Sequence, residues 1–135
     1  MPLMPKRVKY RKPQRGKIRG RATKGNKLSF GEFGIQAMSA GFITSRQIEA
    51  ARVAARHYLG GSVKMWIRIF PHKAMTSTPA ETRMGKGKGE IDYWTSVVKP
   101  GTILFEVSGC TEDLARHAFR LQSAKYSIRT RFVKR

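Results

Sequence analysis

The sequence predicts an α+β fold: a single domain with two helices and a mixed or antiparallel sheet, behind a basic N-terminal extension. Three observations point there. Two segments carry helix caps with a helical apolar period, others alternate with a period of two, and residues 1–27 show neither. At 135 residues, one domain with a tail is the expected organisation. The boundaries read as an extension over 1–27 and a domain over 28–135 that contains a long loop at 71–90.

The extension holds eleven Lys/Arg and no acid, together with Pro2, Pro5, Pro13, Gly16, Gly20 and Gly25. It buries too little apolar surface to order itself. It suits wrapping along a phosphate backbone; the plainer reading is a solubilising or import tail. Residues 28–39 mix Phe30, Phe33 and Ile35 with Gly31 and Gly34, a strand kinked by its glycines. Thr44 and Gln47 have capping-box spacing, and Gly60-Gly61 stops the helix that follows. Ile48, Ala51, Ala55 and Leu59 form its buried face, with Arg52 and Arg56 on another. Residues 63–70 alternate strictly, so Val63, Met65, Ile67 and Ile69 face the core while Lys64, Trp66, Arg68 and Phe70 face outward.

Residues 91–98 and 102–107 read as two strands, and the Pro100-Gly101 turn signal between them predicts a hairpin. Thr111 caps a second helix whose first turn carries Glu112 and Asp113, where the helix dipole favours acids. Leu114, Ala118 and Leu121 are its predicted buried stripe, with Arg116 and Arg120 together elsewhere. A last strand spans 128–133, alternating Ile128, Thr130 and Phe132 with Arg129 and Arg131.

Charge narrows the function. There are 28 Lys+Arg against 8 Asp+Glu, a formal net charge of +20. Excess of this size destabilises the compact chain by self-repulsion unless a polyanion neutralises it, and nucleic acid is the leading partner. The lone Cys110 excludes an internal disulfide framework and a cysteine-based zinc finger. No apolar run is long enough to span a membrane, and the start lacks a secretory signal, so a soluble intracellular domain is expected. His57, His72 and His117 stand apart without metal-ligand spacing, and no pair of acids suggests catalysis. No catalytic residue, metal site, cofactor or homo-oligomer is predicted. Trp66 and Phe70, beside Lys64 and Arg68, could stack bases or cover a helix.

The loop at 71–90 shows no period. A loop of this length in a compact domain is usually functional or disordered. Its far half reads Arg83, Met84, Gly85, Lys86, Gly87, Lys88, Gly89. Such a backbone can approach phosphates closely with ammonium groups on either side. It is no Walker A loop, because Lys88 is followed by Gly89 and Glu90. It is no dinucleotide fingerprint either, since it precedes a strand and not a helix. Composition alone also admits a DNA-compacting protein or an RNA-processing enzyme. A membrane-active cationic protein is disfavoured, because the first helix has no bulky apolar face.

Several segments, in order, resemble one family. They are Met4-Pro5-Lys6-Arg7, Lys9-Tyr10-Arg11-Lys12, Phe30-Gly31-Glu32-Phe33-Gly34, Thr44-Ser45-Arg46-Gln47-Ile48-Glu49-Ala50-Ala51-Arg52, Trp66-Ile67-Arg68-Ile69-Phe70-Pro71, the run 83–89, and Ile128-Arg129-Thr130-Arg131-Phe132-Val133. Together they are similar to the bacterial-type large ribosomal subunit protein sixteen. The resemblance covers essentially the whole chain and implies a hammerhead-type α+β fold without enzymatic activity of its own. It implies binding to large-subunit ribosomal RNA near the peptidyl transferase centre, contact with A-site and P-site tRNA, and neighbouring ribosomal proteins as partners. The resemblance assigns the RNA-binding role to Lys6, Arg7, Lys9, Arg11, Lys12, Arg15, Lys17, Arg19 and Arg21 of the arm; the outward faces read above add Arg52, Arg56, Lys64 and Arg68 of the domain as expected RNA contacts. The tRNA-facing role falls on the loop residues 83–89. A bacterial cytoplasm, or an organelle that encodes its own ribosomal proteins, is the implied location.

Overall fold

A computed structural model describes residues 4–135; the first three residues of the extension lie outside it. Its elements run β1 (Phe33–Ala37), β2 (Gly41–Thr44), α1 (Ser45–Leu59), β3 (Lys64–Ile67), β4 (Lys73–Ser77), β5 (Glu90–Val98), β6 (Ile103–Ser108), α2 (Glu112–Ser123) and β7 (Thr130–Lys134). They form two antiparallel sheets, ordered β3-β6-β1-β7 and β2-β5-β4.

The larger sheet is built around β6, where Ile103, Leu104, Phe105, Glu106 and Val107 are all buried. An antiparallel strand usually leaves one face to water. Here one face meets the core, and on the other Glu106 is covered by residues 29–31 and by Arg68. The core joins Ile35, Ile43, Ile48, Ala51, Val98, Phe105, Val107 and Phe119 across both sheets and both helices.

The helix ends follow from local chemistry. The Gln47 amide donates to Thr44 Oγ1 at 3.1 Å, and the Thr44 amide donates to Gln47 Oε1 at 3.0 Å, a complete capping box. Gly60 closes α1 by donating to the Arg56 carbonyl at 2.9 Å. Ile48, Ala51 and Ala55 are buried as predicted, with Leu59 partly so.

Several expectations need correction, among them the strand expected over 63–70, which spans only Lys64–Ile67. Residues 28–32 are not strand, and β2, which was not anticipated, runs directly into the α1 cap. β5 and β6 do not pair. The turn forms, with the Thr102 amide donating to Lys99 O at 3.2 Å, but the strands leaving it join different sheets. The backbone groups that a hairpin would pair are met from elsewhere: Ala22 donates to Pro100 O, Gly101 to Ala37 O, and Ile103 to Gly25 O. β4 occupies part of the predicted 71–90 loop, leaving 78–89 between β4 and β5.

The buried stripe of α2 is Ala115, Ala118, Phe119 and Gln122, whereas Leu114 and Leu121 are 43% and 39% exposed. Alanines at the α1–α2 contact let the helices approach closely. Gln122 is tolerated in the core because its side-chain amide donates to the Ala51 carbonyl at 3.1 Å and its oxygen accepts from Tyr126 at 3.5 Å.

Candidate nucleic-acid interface

One acid beneath the cationic surface holds a basic side chain and a stretch of backbone in place. Glu106 is fully buried, and its Oε1 accepts from the amides of Ser29, Phe30 and Gly31, each at 3.0 Å. Its Oε2 meets the Arg68 guanidinium, which also reaches the Lys27 carbonyl at 3.2 Å. Burial pushes the carboxyl up, but hydrogen bonds from the Gly31 amide, the Arg68 side chain and the Phe30 and Ser29 amides together outweigh it. The group is held below the usual carboxylate range and stays ionised. Gly31 is needed at this point because a Cβ there would collide with the Val107 backbone.

The predicted contact residues therefore divide. Arg68 has a fixed internal partner. Arg52 donates through Nε to Glu49 at 3.0 Å, and Arg56 caps the end of α1 by donating to Gly60 O at 3.0 Å and Val63 O at 2.6 Å. Arg56 and the exposed Lys64 line one groove beside Trp66. In the arm, Lys6, Arg7, Lys9, Arg11, Lys12, Arg15, Lys17, Arg19 and Arg21 are all exposed. Among the described residues only Arg52, Arg68, Arg116 and Lys134 lie within salt-bridge reach of an acid. The other described basic side chains have no acid within that reach.

Loop and arm lie together. Lys88 donates to the Pro13 carbonyl at 2.7 Å, Lys73 reaches the Arg15 carbonyl, and Arg11 and Lys12 border Glu90 and Ile91 at the start of β5. Arg83, Met84, Gly85, Lys86, Gly87 and Lys88 are exposed, with Gly89 partly covered. Gly85, Lys86 and Gly87 have φ of 112°, 63° and 95°. Three successive left-handed residues turn the chain sharply, and glycine at two of them keeps the steric cost low.

Sequence reasoning missed a second cationic cleft between α2 and β7. Arg116, Arg120 and Arg131 line it with Phe119 and Phe132; Arg116 sits over the Phe132 ring at 4.3 Å, and Arg131 donates to Gln36 at 2.8 Å. Basic residues at fixed spacing on the last two elements were its only signal. Trp66 proves half-buried, stacked under Phe30 with ring centroids 5.9 Å apart, whereas Phe70 is 48% exposed. Burial and then the Glu32 charge push the Cys110 thiol up, away from the activated state that a helix N-terminus could produce. Among the described residues no cluster of three His, Cys, Asp or Glu could hold a metal, and no helix is long and apolar enough to cross a membrane.

Fold and surface together define a small α+β protein with a tied-down core and a largely unpaired cationic exterior. A profile of the ribosomal protein L16p/L10e family matches residues 5–133, and the chain belongs to that family. It is 58% identical over 135 residues to the large ribosomal subunit protein uL16 of Rhodopirellula baltica, an alignment covering 100% of this chain and 98% of that protein.

Proposed function

We propose that the chain is a structural constituent of the large subunit of a bacterial ribosome, binding large-subunit ribosomal RNA near the peptidyl transferase centre. In this reading arm and domain neutralise phosphates and hold RNA segments together beside neighbouring ribosomal proteins. The loop at 83–89 points toward A-site and P-site tRNA, offering mobile charge and close backbone approach where tRNA is accepted and moved. Catalysis of peptide-bond formation stays with the RNA. Within the family, the observation that carries this reading is the unpaired charge of the arm and loop, which the fold brings side by side.

Phosphate contacts release counterions, so affinity for ribosomal RNA falls steeply with salt, by a slope of roughly −0.7 to −0.9 per contact. Replacing Arg11, Lys12, Arg15, Lys17 and Arg19 by Gln in the full chain should flatten that slope by several contacts and impair incorporation into large subunits, with the circular dichroism of the domain unchanged. Equal affinity at low and high salt, or normal incorporation of the neutralised chain, would overturn the arm's role.

A further inference from the structure

Phe30 is a large ring that the fold holds in solvent. It is 58% exposed, yet it is not loose. Its backbone amide is the middle one of three that donate to the buried Glu106 carboxylate, and Gly31 behind it is pressed against Val107. Its ring stacks on Trp66 at 22° between planes, and the Arg68 guanidinium lies 5.3 Å from its centroid. Trp66 lies in β3 and Arg68 directly follows that strand, so both contacts come from one short stretch of chain. More than half of the residue is nevertheless left to solvent.

This arrangement has the chemistry of a binding platform. Aromatic rings offer a flat apolar face that any nucleobase can stack on, and ordering the platform beforehand removes an entropic cost from binding. The surroundings are cationic: Lys27 precedes the platform, Lys64 is exposed on the Trp66 side of β3, and the groove beside Trp66 is lined by Arg56, Gly61, Val63, Lys64 and Met65 without an acid. A base inside a duplex has both faces covered, so only a bulged, looped or terminal base can use such a surface.

Resting on the reading that RNA is the partner, we propose that Phe30 is a stacking platform for one unpaired nucleobase, with the Arg56–Lys64 groove taking an adjoining phosphate. Glu106 and Arg68 are positioning residues that hold the platform flat and rigid. No base-reading donor or acceptor is part of the site, so it tolerates any base.

The test compares full-length wild type, Phe30→Leu and Phe30→Trp assembled into large subunits, with the RNA probed by base-selective chemical footprinting. Leucine still covers Trp66 but has no π face. At equal incorporation, one unpaired base protected by wild type and Phe30→Trp should become reactive with Phe30→Leu. Binding of Phe30→Leu to the free RNA should weaken roughly tenfold, with its salt slope unchanged because no phosphate contact is lost. Lys64→Gln should instead lower that slope by about one contact. Identical footprints for all three proteins would overturn the platform and leave the ribosomal assignment standing. So would unchanged footprints accompanied by loss of a crosslink to a neighbouring protein, which would make Phe30 a protein contact. Failure of wild type itself to incorporate would overturn the reading on which the platform rests.

Discussion

Arg68 and Lys86 carry the same charge in one chain, and the fold puts them to opposite uses. Arg68 lies beside the four-stranded sheet, 17% exposed at its side chain and paired with a carboxylate that water does not reach. Lys86 is exposed at the tip of the β4–β5 connection, with left-handed φ, between two glycines. In the first region charge is an internal fastener that joins β3, β6 and residues 27–31. In the second it is an outward resource that contributes little to folding. Composition cannot separate the two; burial and the whereabouts of the eight acids do.

The comparison breaks first at Glu106. Glu106→Ala removes the acceptor of three amides and strands a partly buried guanidinium, which by analogy with other broken buried pairs costs about 3–5 kcal/mol. Glu106→Gln, which keeps one acceptor oxygen but loses the charge, should fall between the two in urea unfolding. Because the native carboxyl is held low, the unfolded chain binds more protons as the medium is acidified. This stability is fully present above the unfolded carboxyl value of about 4.3 and is lost as pH falls through the lower native one. Glu106→Gln should therefore flatten the acid limb of stability against pH. Part of the limb remains, since hydrogen bonds from Arg52 to Glu49 and from Arg116 to Glu112 also lower those carboxyls. An unchanged acid limb in Glu106→Gln would show that Arg68 gains nothing from its partner.

What could be read in advance follows the range of each interaction. Thr44, Gln47 and Gly60 announced α1 because capping is settled within a few residues. The loop and arm charges were legible for a different reason: they have almost no acidic partners, so composition describes them. Glu106 was invisible, because the residues that explain it are 38 to 77 positions away. Arg68 was accordingly assigned outward from its alternation alone. The Pro100–Gly101 turn was legible, but which strands it joins depends on β1, β2, β3 and β4 already occupying the edges. β4 has no alternating apolar pattern and takes its form from pairing with β5. In α2 the leucines drew the stripe to the wrong face, since a buried glutamine makes sense only once Ala51 is in place.

A smaller effect sharpens the contrast on the structural side. Thr44→Ala leaves the Gln47 amide without its side-chain acceptor and should cost about 1 kcal/mol in urea unfolding. Thr44→Ser, which keeps the oxygen, should recover most of that loss. Because Thr44 also ends β2, a loss well above this size would mean that strand and helix unfold as one unit through this residue.

The smallest effect on stability belongs to the loop, where the largest functional consequence is proposed. Lys86→Ala with Lys88→Ala removes two exposed charges and one bond to the arm, so unfolding free energy should change by less than about 0.5 kcal/mol. If the loop serves tRNA, subunits should incorporate the double variant normally while accommodating aminoacyl-tRNA more slowly, measured by rapid mixing with labelled tRNA. Failure to incorporate would instead join the loop to the arm as an assembly element, a result the Lys88–Pro13 contact makes testable by Lys88→Ala alone. Normal incorporation with unchanged accommodation would leave the loop's charge without the role proposed for it, and the contrast with Arg68 would reduce to one of burial.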